Sequence, residues 1–290
     1  MRGAPRSMTV LRPRDAAEAV SLFAEHPAAL PLAGGTDLLV QWNTGALNGR
    51  TVLDLSGVRE WRPIRKTVAG LSIGALATHA ELRDDPAVRR EFPLLAAAAA
   101  EVGAEQIQNR GTLGGNIANA SPAGDTFPAL AVYEATVVAV SRKGQRSIPF
   151  CEAFAGVKKT SLGPGELIAS IDLPYLETRP RRQLLRKVGT RAAMSISKTC
   201  AAGLLWLGPD RRVRELRFAL GSMAPTVRRL KAAEELVRGK RPNRELAAEA
   251  CEALRRDVSP IDDLRSTAEY RLHVSQNLLA DFLLGPQGPH

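Results

Sequence analysis

Two hydrophobic periods divide this chain, one of about 2 residues for strands and one of about 3.6 for helices. Val10-Leu11 reads as a short strand, and residues 13–23 follow with apolar side chains at helical spacing. Leu30-Pro31-Leu32 is a second short strand. The run Leu38-Leu39-Val40-Gln41-Trp42 is apolar enough to predict a buried helix, with Asp37 as its cap. Thr51 to Leu55 alternates as a third strand, which closes a βαββ unit near residue 57. Ile64 to Ala75 predicts a hairpin turning at Ala69-Gly70. Thr78-His79-Ala80-Glu81 has the spacing of a capping box, with His79 at the solvent edge. Leu94 to Gly103 predicts an alanine-rich buried helix, and Thr126 to Tyr133 another. Residues 135–140 and 145–150 pair around Lys143-Gly144, and Glu166 to Pro174 alternates as a further strand.

The Pro- and Arg-rich stretch from Glu177 to Arg182 predicts a linker. Beyond it, Leu184 to Val188, Cys200 to Leu207 and Val213 to Leu220 read as strands, the last two joined by the turn Gly208-Pro209-Asp210. Helical patterns at 227–238, 244–257 and 267–284 end the chain. Strands followed by helices mean an α+β unit. The expected organisation is a first domain at 1–176, with subdomains of about 1–57 and 58–176, a C-terminal α+β domain at 182–285, and a tail at 286–290.

Composition narrows the reading only a little. The chain has 290 residues, with 44% hydrophobic and 24% charged, ordinary for a globular protein of two domains. Aromatics at 4% leave the cores to Leu, Ala, Val and Ile. No apolar run reaches the ~20 residues of a membrane span, and the first residues lack an apolar signal core, so a cytoplasmic protein is expected. The net charge of +10 is unusual. Its Lys and Arg are scattered rather than clustered with aromatics, which argues against nucleic acid and for acidic protein partners or an anionic redox partner. Cys151, Cys200 and Cys251 are dispersed with no Cys-x-x-Cys, so this chain cannot ligate its own iron–sulfur cluster. Burial is the expectation for all three thiols. The histidines are isolated, which leaves zinc without ligands.

The chemistry concentrates in two turns. Gln108 to Asp125 packs Gly111, Gly114 and Gly115 into five positions and adds Thr112, Asn116, Asn119, Ser121 and one carboxylate, Asp125. Upstream, Pro31 and Leu32 lead into Ala33-Gly34-Gly35-Thr36-Asp37-Leu38. Dense glycines permit φ > 0 and let backbone N–H groups approach a ligand, forming a concave nest for phosphate oxygens. Two such turns in one domain suggest two walls of one site for a diphosphate-bearing cofactor. No Gly-x4-Gly-Lys-Ser/Thr and no Gly-x-Gly-x-x-Gly occurs, so neither a P-loop nor a dinucleotide-binding Rossmann unit is supported.

Ala33-Gly34-Gly35-Thr36-Asp37-Leu38 together with residues 112–122 (Thr-Leu-Gly-Gly-Asn-Ile-Ala-Asn-Ala-Ser-Pro) resembles the FAD-binding subunit of the molybdenum hydroxylases. That family covers xanthine dehydrogenases, carbon monoxide dehydrogenases and relatives, and the resemblance extends over nearly the whole chain. It implies a two-part FAD-binding fold of the p-cresol methylhydroxylase type, then a smaller α+β domain of antiparallel sheet and helices. It also implies that residues 31–38 cradle the FAD pyrophosphate. Thr112, Gly114, Gly115 and Asn116 would complete the phosphate and ribityl contacts, and Asp125 would accept from ribityl hydroxyls. Val102 would lie toward the adenine, with ordinary helix packing as the alternative. Ile168 would lie near the isoalloxazine. Lys187 would reach the flavin from the second domain, the alternative being a surface lysine on an edge strand. The three dispersed cysteines point to the version of the family whose clusters sit on a separate chain.

The resemblance implies no catalytic acid, base or nucleophile here, since the redox chemistry belongs to the flavin. Partner chains would supply the molybdopterin cofactor, on a large subunit, and two [2Fe–2S] clusters, on a small one, the whole assembling as a dimer of heterotrimers. Electrons would pass from the clusters through FAD to NAD or another acceptor. Two alternatives stay open at this point: a self-contained FAD-dependent oxidase or reductase, and a basic, non-enzymatic nucleotide-binding adaptor.

Overall fold

The computed structural model describes residues 8–285, so the tail expected at 286–290 lies outside the described residues. The chain begins with β1 (Thr9–Leu11), α1 (Ala16–Glu25), β2 (Leu30–Leu32), α2 (Leu38–Trp42) and β3 (Thr51–Asp54). The strands form a parallel sheet ordered β1-β3-β2, with Val52 opposite both Val10 and Leu30. Asp15 caps α1 by accepting from the Glu18 N–H, and Ala19 and Phe23 then turn onto a small core with Leu53, Leu55, Val58 and Trp61. Two expectations fail at α2. None of its residues is buried, Leu39 and Val40 being 42% and 64% exposed, and the Asp37 side chain makes no cap bond. Five residues are too few to show a buried stripe, so apolarity alone misleads there.

A second unit runs through β4 (Ile64–Lys66), β5 (Gly70–Gly74), α3 (His79–Asp84), α4 (Pro86–Glu91), α5 (Pro93–Ala100), α6 (Glu105–Gln108), α7 (Leu113–Asn119), α8 (Phe127–Val132), β6 (Thr136–Ser141), β7 (Gly144–Pro149), a small hairpin of β8 (Phe154–Gly156) and β9 (Lys159–Thr160), and β10 (Leu167–Pro174). Its antiparallel sheet is ordered β4-β5-β10-β6-β7. Leu71, Ile73, Phe92, Leu95, Leu113, Ile117, Phe127 and Tyr133 fill the space between sheet and helices. The predicted capping box forms: Thr78 accepts from the Glu81 N–H and Glu81 from the Thr78 N–H. His79, however, is only 2% exposed rather than at the solvent edge. A capping box fixes where a helix starts, and says nothing of which side faces the core.

The third unit pairs β11 (Arg182–Val188), β12 (Thr199–Leu207), β13 (Val213–Gly221) and β14 (Arg228–Arg229) in that order, all antiparallel, before α9 (Lys231–Val237), α10 (Arg244–Leu254) and α11 (Ala268–Leu284). The helix expected from 227 therefore begins at Lys231, because Arg228 and Arg229 continue the sheet beside β13. Alternation along β12 explains its unbroken apolar run. Ala201 and Leu205 pack on the C-terminal helices, while Ala202, Leu204 and Trp206 join the core of the preceding unit, against which α8 lies. The expected linker is pinned at both ends: Trp206 Nε1 donates to the Thr178 carbonyl, and Arg182 Nη1 to those of Phe282 and Leu283. Of the three thiols only Cys200 is buried; Cys151 is exposed and Cys251 half-buried, contrary to expectation. No helix among the described residues is long and apolar enough to cross a membrane.

Candidate functional site

The two glycine turns meet backbone to backbone. A Cβ on Gly34 would stand 1.8 Å from the Arg110 carbonyl oxygen and 3.1 Å from Gly111 Cα, so only glycine fits between β2 and α2. Gly35 takes φ +78, in the left-handed region. The N–H groups of Gly34, Gly35, Thr36, Asp37 and Leu38 donate to nothing among the described residues. The first turn is thus a row of available donors, as an anion requires.

The second motif is built differently from the expected nest. Gly114 and Gly115 belong to α7, Gly111 just precedes its capping Thr112, and none of the three has a positive φ. The N–H groups of Leu113 and Gly114 donate to the Ala77 and Ala75 carbonyls, that of Gly115 to the capping Thr112 Oγ1 at 3.1 Å, and that of Asn116 to the Thr112 carbonyl. Helix and cap use the donors that a phosphate would need. Gly114 instead permits close packing, since a Cβ there would lie 2.6 Å from Ala75 Cβ. Gly115 is exposed, and among the described residues beyond its own helix backbone a Cβ on it would meet only the Thr112 hydroxyl, at 2.9 Å. One glycine holds the helix against the domain, and the next leaves an open face. Asn116 Oδ1 accepts from Thr126 Oγ1 at 2.7 Å, which ties α7 to the segment carrying Asp125.

Lys187 on β11 comes across to that segment. Its Nζ lies 2.9 Å from Asp125 Oδ2 and 2.7 Å from the Glu101 carbonyl oxygen. The side chains are 5% and 12% exposed, so Lys187 is not a surface lysine. Burial pushes the Asp125 carboxyl up to about 6, against the opposing pull of Lys187. Asp125 Oδ1 is buried and has no partner among the described residues. Behind the second turn, His79 N–H donates to the Gly111 carbonyl at 3.0 Å, and burial pulls its imidazole down to about 4.

Residues 33–36 therefore join 110–112, and Asp125 joins Lys187 beside the turn that holds Val102. That valine follows α5 rather than lying in it, because the helix stops at Ala100. Pro31 and Leu32 serve β2, and Asp37 is exposed, 3.8 Å from Lys158. Ile168 is buried in the main core at a β-bulge, on the strand that packs against α7. Sequence reasoning misses the Glu101 carbonyl, Lys158, which donates to Asn119 Oδ1, and the 189–198 loop, where the Met194 N–H reaches the Gly103 carbonyl. None of these sits in a motif; only the fold brings them near.

Residues 6–176 match the family description FAD binding domain in molybdopterin dehydrogenase, and residues 185–285 match the CO dehydrogenase flavoprotein C-terminal domain. The chain belongs to the FAD-binding subunits of the molybdenum hydroxylases. It is 32% identical to the xanthine dehydrogenase FAD-binding subunit of Escherichia coli O157:H7 over 90% of each chain. It is 31% identical to the carbon monoxide dehydrogenase medium chain of Hydrogenophaga pseudoflava, over 89% of this chain and 90% of that one. A solved carbon monoxide dehydrogenase from Hydrogenophaga pseudoflava superposes with a TM-score of 0.89 at 28% identity, covering 97% of both chains. The residues present suit a flavin dinucleotide: a donor-rich turn, an open glycine face on α7, and an orphaned buried acceptor on Asp125.

Proposed function

We propose that this subunit holds FAD against the two glycine turns and relays electrons to it from [2Fe–2S] clusters on a small partner chain. A large partner chain carries the molybdopterin cofactor, and NAD or another acceptor takes the electrons onward. The observation supporting this reading best is the buried Lys187–Asp125 pair with its unpartnered Asp125 Oδ1. Bound FAD supplies the exchange of single electrons for a pair. The N–H row of residues 34–38 would hold its pyrophosphate. Thr112 and Asn116 would line the ribityl side through their side chains, and Gly115 would admit the cofactor to the helix face. Asp125 would take a ribityl hydroxyl on its free oxygen. Lys187 would place a positive charge where the reduced ring gains a negative one. Val102 and Ile168 would bound the adenine and ring ends.

A tagged chain purified from its host cells should carry FAD and bring with it a molybdenum-containing chain and an iron–sulfur chain, measurable by metal analysis. Purified alone, it should retain FAD and oxidise no organic substrate. Turnover of an organic substrate by the lone, metal-free chain would instead establish the self-contained oxidase reading.

A further inference from the structure

A second concave site lies at the other end of α8. Asp125 precedes the start of that helix, whereas Ala131, Glu134 and Ala135 at its end line a cavity of about 710 Å³ shared with the C-terminal unit. Its remaining walls come from residues 149–151 after β7, residues 227–231 around β14, and residues 256–259 after α10. It has no residue in common with the site described above.

The lining pairs apolar surface with cations. Phe150 and Val227 are buried in its floor, and Ala131, Ala135 and Val258 extend it. Four cations, Arg228, Arg229, Lys231 and Arg256, face two carboxylates, Glu134 and Asp257. Those carboxylates are already engaged. Glu134 pairs with Arg217 and Arg229, and Asp257 Oδ2 accepts from the Ala232 N–H. Arg229 is satisfied by Glu234, and Lys231 is held loosely by the same carboxylate at 3.5 Å. Arg228 and Arg256 are exposed, and their side chains have no hydrogen-bond or ionic partner among the described residues.

We propose that this inter-domain cleft binds a small phosphate-bearing molecule with an apolar body, of nucleotide size. Two unpaired guanidiniums with an ammonium nearby suit a polyphosphate head better than a single carboxylate, because arginine forks pair with phosphate oxygens two at a time. The cavity falls within the ~300–1,000 Å³ of small-molecule sites, far more than a phosphate ion fills, and such sites favour domain interfaces. A ligand here would touch the core-facing helix α8 and β14 together, bracing the two units on the side away from Asp125.

The test uses the full chain loaded with FAD, so that a nucleotide cannot occupy the flavin site, and ADP as the probe. Calorimetry should show one ADP per chain with unchanged flavin absorbance. Adenosine should bind about tenfold more weakly, and so should ADP to the Arg228→Ala, Arg256→Ala double variant. Both arginines are exposed, so the variant should fold and keep its FAD. Cys151, which lines the cleft and is exposed, gives a local readout: ADP should slow its alkylation several-fold, followed by mass spectrometry. Absence of saturable ADP binding, equal affinity in the double variant, or unaltered alkylation of Cys151 would each overturn the proposal.

Discussion

Lys187 Nζ, on the first strand of the C-terminal sheet, stands 2.9 Å from Asp125 Oδ2 in the preceding domain and 2.7 Å from the Glu101 carbonyl oxygen. One ammonium thus ties together the end of α5, the start of α8 and the sheet that follows. Lys187→Met removes it and strands a buried carboxylate. The flavin-free variant should lose about 1–3 kcal/mol by urea unfolding, typical of a buried group deprived of its partner. Its bound FAD should be harder to reduce, as a redox titration would show. Adding Asp125→Asn should restore part of the lost stability, because the two changes act on one contact.

The pH dependence of stability follows from two buried groups that oppose each other. Asp125 rises from 3.8 to about 6 on folding, so between those values the native state binds the extra proton and Asp125 makes stability fall as pH rises. His79 drops from 6.5 to about 4, so the unfolded state binds the extra proton and His79 makes stability rise over nearly the same window. In the flavin-free wild type the two contributions should largely cancel between about pH 4 and 6. Asp125→Asn should leave a stability that climbs with pH, and His79→Gln one that falls. Urea midpoints across that range check both signs; two variants with the same slope would contradict the burial of one group.

Glycines from the two motifs should behave differently. Gly114→Ala drives a Cβ within 2.6 Å of Ala75 Cβ and 2.7 Å of its carbonyl oxygen, and should cost about 1–3 kcal/mol of stability. Gly34→Ala meets the Arg110 carbonyl oxygen at 1.8 Å and should separate the two turns, lowering FAD affinity and stability together. Thermal unfolding with and without FAD distinguishes the two.

Much of this fold is legible in the sequence because its elements carry local signals. The capping box at Thr78, the alternation along residues 167–174 and the apolar run of a doubly buried strand at 199–207 each describe their surroundings directly. The glycine turns advertise a cofactor for the same reason. What local pattern does not carry is the partner across the fold. Nothing near Gly114 says that Ala75 presses on it, so a helix packed by glycine reads as a left-handed nest. The burial of His79 and the reach of Lys187 to Asp125 depend on residues far away in sequence. Likewise α2 looks buried because apolar residues read alike whether they face a core or stand exposed, as Leu39 and Val40 do.

Gly115 leaves the open place on α7 that FAD is proposed to fill. The most direct measurement is the flavin-to-protein absorbance ratio of purified Gly115→Val beside the wild type, with circular dichroism of both. A Cβ there meets only the Thr112 hydroxyl among the described residues beyond its own helix backbone, and the position is exposed, so the fold should persist, with a modest loss from the weakened cap and from a β-branched residue in a helix. About one FAD per chain is expected in the wild type and little or none in a folded variant. Full FAD occupancy in folded Gly115→Val would contradict the placement of FAD against α7.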